Sequence, residues 1–543
     1  MNSQSLYLKL FAITLLGAGL RFATIDIGLT LDDACSAFVV EADNLGEMVA
    51  RLRDFEMSPP LYFLLLRLFT TGNMNCATMA LPSIICGILT IPATFALALE
   101  TTAATADQNK ASRIALLAAL FAAISPLTIL YSHEARSYGL AGLLTALTLT
   151  AYLRFFRAKV SIKDGLFLCL SGIALIYTHY TGIIFLGLLA AISQIFRHCG
   201  KIVYSLIPIT LSLFSLLPWL PILLYHRSIG TPWVDPTPLS KFGEVVASNL
   251  AATFPLPVVP AYVLTIFLCP LLLAWMLFFK PQSTRKALFA LYKNPPLSTL
   301  LLLMLFAVCA FGYITPFKFG YSRYMSPIAC AFFVFYAYIL VLLPQKRDFF
   351  CLSQDSGKQK LFKASFFSLL AFLIAFDILD TATLVSEDRS GMRKVAAFIA
   401  ERSRRETEEG KRTLYITAPD FTGMSLVFYL KHDQNLSMEK LPELSGFACP
   451  QSGKRWVKHE EDVDCYEDPN LLAKQTKIVE DFQRQGYKHL ILIRDQDKPD
   501  SKRMPTKRMI DSFEAILKEK YKASQTKIYR GRATSYEVTE WAL

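Results

Sequence analysis

Charge is what this chain has least of. Only 18% of its 543 residues are Asp, Glu, Lys or Arg, and 53% are hydrophobic. A soluble chain carries about a quarter charged residues, so most of this one is not an ordinary soluble domain. Other absences narrow the field. No CxxC pair occurs, and five of the eleven cysteines lie inside apolar runs, where they read as small packing residues rather than ligands. No Gly-rich loop opens a helix, which leaves no nucleotide-binding signature. No internal repeat is visible, against the usual habit of transporters. The first apolar run, "LYLKLFAITLLGAGLRFATI", lacks a small-residue cleavage site and reads as a retained helix, not a removed signal. The formal charge of +12 fits Lys and Arg in cytoplasmic loops and implies no nucleic-acid partner.

What is present is a series of apolar runs, near 5–24, 79–99, 113–131, 137–156, 165–178, 180–196, 202–224, 257–279, 297–315, 325–343 and 363–383. A spanning helix needs about 20 residues, so these predict an α-helical polytopic membrane protein of about eleven spans. The stretch "PPLYFLLLRLF" (59–69) is half that length and is predicted to lie on the membrane surface as an interfacial helix. Counting it as a span would place Lys110, Arg113, Arg154, Arg157, Lys159, Lys163, Lys280, Arg285, Lys286, Lys346 and Arg347 outside; leaving it out places them inside, as the positive-inside rule requires. Residues 1–385 are then the transmembrane domain, with 25–78 as its first outer loop.

Residues 386–543 are mixed in character, with no run long enough to span. Helical apolar spacing over 388–405 and 508–521, buried-strand runs at 412–418 and 488–494, and alternation over 536–541 predict an extracytoplasmic α/β domain. Cys449 and Cys465 fall in this polar region and are disulfide candidates in an oxidising compartment.

The outer face collects unusual residues. Asp32 and Asp33 sit in "LDDACSAFVVE" just outside the first span, with Glu56 downstream. Such a pair also suits a plain helix cap, but a carboxylate at a membrane border gains basicity from desolvation. "YSHEARSYG" supplies His133, Glu134, Arg136 and Tyr138, and "YTHYTG" supplies His179. His226 is a further lone outer histidine. Arg136, Lys318 and Arg323 are cations on the outer side, against the positive-inside trend. Snorkelling would account for each singly; together they suit an anionic partner such as a lipid phosphate. Outward carboxylates with outward cations at a lipid boundary suit group transfer from a lipid phosphate to an acceptor hydroxyl. The acid takes the proton and the cations hold the leaving phosphate. No metal-ligand spacing stands out. Glu56 and His179 are the residues that would serve a divalent ion if one is used.

Four stretches together resemble one family. "LDDACSA", "SPPLYFLLLRLF" followed by "LPSIICGILTIP", "YSHEARSYGL", and "YTHYTG" with "SRYMSP" are similar, in order, to landmarks of the dolichyl-phosphate-mannose protein mannosyltransferases. That superfamily of GT-C membrane glycosyltransferases includes the aminoarabinose transferase acting on lipid A. The resemblance covers residues 1 to about 345. It implies a polyprenyl-phosphate sugar donor within the membrane lipid, an acceptor whose identity stays open, and inverting transfer. It implies that Asp32 is the catalytic base, Asp33 the second acid of the pair, Glu134 the acid of the second outer loop, and Arg323 an arginine near the donor phosphate. The expected location is a bacterial inner membrane, with the active site and the C-terminal domain outside. Asp33 stands where Glu is commoner, Cys35 replaces an aromatic, and Ser58 replaces the His or Lys before the two prolines. A polyprenyl-linked sugar transporter and a non-catalytic envelope assembly protein are the alternatives. Both leave the "LDDA" and "SHEAR" stretches without a role.

Overall fold

The computed structural model describes residues 3–23, 25–103, 107–229, 239–253, 294–314, 322–342, 391–409, 412–418, 422–436, 443–446, 470–496, 507–530 and 534–543. The expected spans at 257–279 and 363–383, and Lys318, Cys449 and Cys465, lie outside the described residues. Packing divides the chain into two compact units. One comprises Met1–Ile25, Ala80–Pro221 and Pro236–Val385; the other comprises Asp26–Met79, Ile222–Asp235 and Ser386–Leu543. The first outer loop, grouped by sequence with the spans, packs with the C-terminal region.

The first unit is helical. Among the described residues, five helices lying wholly or mostly in this unit are long and apolar enough to cross a membrane: Gln4–Phe22, Cys76–Thr101, Tyr138–Phe156, Ile202–Ser228 and Arg323–Val341. Large apolar side chains such as Tyr7, Leu8, Phe11 and Leu15 stand exposed on the first of these, as lipid-facing residues do. The protein is an integral membrane protein. The expected runs at 165–178 and 180–196 are two helices, Ile162–Thr178 and Thr181–Ile195, separated at His179.

The expected continuous span at 113–131 is instead broken. Gln108–Ile124 and Pro126–Ser132 meet at a 52° bend. Ser125 leaves the helical conformation at ψ 125° with Pro126 opening the next helix. Proline has no N–H to bond the carbonyl four residues back and crowds it, so the chain bends and frees carbonyls at Ala122 and Ala123.

The second unit is α/β. Strands β1 (Thr413–Ala418), β2 (Glu443–Gly446), β3 (His489–Asp495), β4 (Lys522–Tyr529) and β5 (Tyr536–Ala542) form one sheet in the order β2-β1-β3-β5-β4. β1 runs parallel to β2 and β3, and β5 antiparallel to β3 and β4. Leu414, Ile416, Leu490, Leu492 and Trp541 share a core with Val479, Phe513 and Leu517, which face the sheet from helices Leu471–Arg484 and Lys507–Lys520. Helices Met392–Glu409 and Thr422–His432 complete the region. The first outer loop contributes helices Leu31–Val40, Leu45–Arg51 and Leu61–Thr70. The last, at ten residues, is too short to span. It buries Tyr62, Phe63 and Leu66 while leaving Leu64 and Leu68 exposed, the division expected of an interfacial helix.

Candidate functional site

Each unit carries one cluster of the residues singled out by sequence. In the second unit, Thr30 caps helix Leu31–Val40 through a capping box. The Thr30 N–H and hydroxyl both donate to Asp33 Oδ2 at 2.8 Å, and the Asp33 N–H donates back to Thr30 Oγ1 at 3.4 Å. Asp33 is fully buried, so its carboxylate is committed to building the helix start. Asp32, one residue earlier, is only partly buried and lies in the first turn, where the helix dipole favours an anion. The two acids thus differ: Asp33 is buried and shapes the turn, and Asp32 is only partly buried.

The other end of this helix is held by two arginines, Arg67 and Arg51. Arg67, the one charge in the short apolar helix Leu61–Thr70, donates to the carbonyls of Val40 (3.2 Å) and Ala42 (2.6 Å). It satisfies the carbonyls orphaned at a helix end and complements the dipole. Arg51 donates to the Phe38 carbonyl and lies over the Phe38 ring. Phe38 meets Phe55 edge-on at 5.2 Å. That contact ties the helix to a π-helical turn, Leu52–Glu56, which ends with Met57 at φ 55°. A left-handed methionine is strained, and such strain concentrates at functional sites. Glu56 Oε1 accepts from the Ser58 hydroxyl at 3.2 Å. His226 Nε2 meets the Arg53 carbonyl at 3.0 Å.

Glu41 caps the helix C-terminus, and its Oε1 accepts from Lys431 Nζ (2.8 Å) and His432 Nε2 (2.5 Å). Burial alone would raise its pKa, but the bonds to His432 and Lys431 outweigh that and leave it below the usual carboxylate value. A depressed carboxylate contributes stability that is present above its unfolded pKa and lost as pH falls through the folded one. Glu41→Gln is therefore expected to lower the stability of this unit by about 1 kcal/mol at neutral pH, the scale of a half-exposed ion pair. The gap to wild type should close below about pH 4. Thermal unfolding of both proteins across pH 3–8 checks this; a gap that does not change with pH contradicts it.

In the first unit, Arg136, Tyr138, His179, Arg323 and Tyr324 come together. Tyr138, His179 and Tyr324 form a triangle of rings, with centroids 5.8, 5.9 and 6.1 Å apart, and Tyr131 stacks edge-on against Tyr138 at 5.5 Å. His179 Nδ1 accepts the Thr181 N–H at 3.3 Å and meets the Thr181 hydroxyl at 2.8 Å, which puts the ring proton on Nε2. Burial first, and then the charges of Arg136 and Arg323, push its pKa down to about 4. The ring is thus neutral beside two guanidiniums. Arg136 and Arg323 are only partly buried.

The loop carrying Glu134 is fixed from beneath. Glu134 is buried. His133 is buried too, with Nδ1 2.7 Å from the Ile129 carbonyl and Nε2 2.8 Å from the Arg21 carbonyl; its ring braces the loop. The Ser83 hydroxyl donates to the Arg136 carbonyl at 3.2 Å.

Arg21 is the residue that sequence reasoning missed. It is fully buried and fills the break at Pro126. Its Nη1 donates to the carbonyls of Gly17 and Ala123 (both 3.0 Å), Nη2 to the Ala122 carbonyl and Thr128 Oγ1 (both 3.1 Å), and Nε to Ser132 Oγ (3.1 Å). The carbonyls freed by the proline are thus paired by one planar fork, a task for which arginine is suited and lysine is not. Gly87 makes room for it: a Cβ there would stand 2.1 Å from Ser132 Oγ and 2.9 Å from Arg21 Nε.

Among the described residues, no three His, Cys, Asp or Glu side chains converge as a metal cluster. Among the described residues, Cys35, Cys76, Cys86, Cys169, Cys199, Cys309 and Cys330 form no disulfide.

No protein-family model matches the chain, and no curated protein matches it. Solved structures do. ArnT from Cupriavidus metallidurans in the apo state is 12% identical, with a TM-score of 0.54, over 99% of this chain and 98% of that one. The same protein bound to undecaprenyl phosphate gives 11% identity and a TM-score of 0.51 over the same shares. The oligosaccharyltransferase of Archaeoglobus fulgidus, tethered with an acceptor peptide containing the NVT sequon, gives 11% and 0.52 over 90% of this chain and 69% of that one. At these identities the likeness establishes the fold: a GT-C polytopic membrane protein with a C-terminal domain.

Proposed function

We propose that the protein transfers a sugar from a polyprenyl-phosphate-linked donor to an acceptor hydroxyl on the extracytoplasmic face of a bacterial inner membrane. The observation that carries this reading is the pairing of Arg136 and Arg323 around a neutral His179, in a fold shared with a protein whose structure was solved bound to undecaprenyl phosphate. Two partly exposed guanidiniums beside an uncharged aromatic triangle suit a phosphate monoester or diester. They supply charged donors in planar forks that match phosphate oxygens.

In this reading the acceptor oxygen attacks the anomeric carbon from the face opposite the phosphate, and the bond from carbon to phosphate oxygen breaks. Asp32 receives the acceptor's proton. Arg136 and Arg323 hold the negative charge that builds on the departing polyprenyl phosphate, with Lys318 as a third cation. Glu134 orients the acceptor or the sugar hydroxyls. Attack from the opposite face makes the transfer inverting.

Replacing Arg323 by Met is expected to raise the donor KM by roughly tenfold to a hundredfold, the scale of a lost charged hydrogen bond. Arg323→Lys should recover only part of this, because an ammonium lacks the planar fork. Initial rates of polyprenyl phosphate release against donor concentration decide it. An unchanged KM in the Met variant removes Arg323 from the donor site and the reading with it.

A further inference from the structure

The C-terminal domain has no assigned task. Its helix Thr422–His432 lies in the same compact unit as the first outer loop, and it grips helix Leu31–Val40 at both ends. At the N-terminal end, the Leu29 N–H donates to the Tyr429 hydroxyl at 2.6 Å, and that hydroxyl lies 3.3 Å from the Leu29 carbonyl, which accepts from it. Leu29 directly precedes the Thr30 cap. Both Leu29 and Tyr429 are buried, so neither backbone group has water as an alternative partner. At the C-terminal end, Lys431 and His432 hold Glu41. Between the two, the Cys35 thiol meets the Met424 thioether at 4.0 Å. Arg393 adds a strap before the helix: it pairs with Asp26 at 2.5 Å and with Asp433 at 3.0 Å, and its guanidinium lies 5.7 Å from the Tyr429 ring centre.

We infer that helix Thr422–His432 is the positioning element for Asp32, with Tyr429 setting the start of the Asp32 helix and Lys431 with His432 setting its end. A ten-residue helix is marginal alone, and loops that carry catalytic groups work only when a rigid scaffold fixes them. Here the scaffold comes from about 400 residues along the chain. Tyr429, Lys431 and His432 are positioning residues: they act through the backbone at Leu29 and through Glu41.

This inference rests on the proposed transfer reaction for its catalytic arm, and hydrogen exchange provides an arm that does not. The full-length protein is reconstituted in lipid nanodiscs as wild type, Tyr429→Phe and Lys431→Met. Tyr429→Phe keeps the ring and removes both bonds to Leu29. Amide exchange over 29–41 should quicken by about tenfold or more in Tyr429→Phe, with β1 and β3 unchanged. Lys431→Met should quicken exchange mainly near Glu41. In the transfer assay, Tyr429→Phe should lower kcat by about tenfold at unchanged donor KM, because a misplaced base affects the chemical step and not donor binding. Unchanged exchange over 29–41, or quickened exchange with wild-type kcat, overturns the inference. A wild type that transfers nothing, with exchange quickened as expected, contradicts the transfer reading and leaves the clamp itself standing.

Discussion

Asp32→Asn is expected to fold and insert as wild type does, yet lose transfer by a hundredfold or more, the scale of a missing general base. That factor corresponds to about 2.7 kcal/mol of transition-state stabilisation. The stability cost is smaller. Asp32 is partly exposed, and its place in the first turn is worth about 0.3–1 kcal/mol through the helix dipole. Asp33→Asn should show the opposite profile. It disrupts the capping box that joins Thr30 and Asp33, at about 1 kcal/mol or somewhat more, and any loss of activity should follow the loss of local order. Kinetics and thermal unfolding on the two variants side by side separate the roles. Equal activity losses with equal destabilisation would assign Asp32 to structure.

Arg21→Met should be the most destabilising single change in the first unit. It leaves the Ala123 carbonyl and Ser132 Oγ without the donor they now have, while the Ala122 carbonyl loses one of two donors and keeps the Thr128 hydroxyl. Each buried acceptor stranded this way costs about 1–3 kcal/mol. Hydrogen bonds measured inside membrane proteins average lower, near 0.6 kcal/mol, so about 2–4 kcal/mol for the set is expected. Arg21→Lys should fall between, since a compact ammonium cannot reach both sides of the kink. The consequence should extend to the Glu134 loop, because the Arg21 carbonyl also holds His133. Thermal unfolding in detergent gives the result, and an Arg21→Met variant as stable as wild type would show that water or the lipid satisfies the kink.

The sequence carries the membrane architecture plainly, since burial in lipid demands long apolar runs and nothing else supplies them. Among the described residues, nine of the eleven expected runs are helices, and the 59–69 stretch is the short helix expected of it. The capping box was also there to be read, as Thr30 three residues ahead of Asp33. What sequence could not show is non-local. Arg21 looks like the polar end of an apolar run, and its acceptors lie about 100 residues on. Glu41 looks like one acid among many, and its partners are 390 and 391 residues away. Pro126 was visible, but hydropathy ignores a kink whose cost is offset by a side chain from another helix. β4 was missed for a different reason. "KASQTKIY" is exposed at all but its last position, so an edge strand without a buried face has no alternation to detect. The roles of Asp32, Glu134 and the arginines come from the resemblance and from charge placement, and the structure adds the distinction between the two aspartates.

One measurement bears most directly on the account as a whole. Purified protein in vesicles is given a radiolabelled polyprenyl-phosphate sugar and an envelope-membrane extract, and both label and lipid phosphate are followed. The account predicts that label leaves the lipid for an acceptor as free polyprenyl phosphate accumulates in equal amount, and that Asp32→Asn abolishes both. Label that crosses the bilayer still attached to its lipid, or release that Asp32→Asn leaves unchanged, would contradict it.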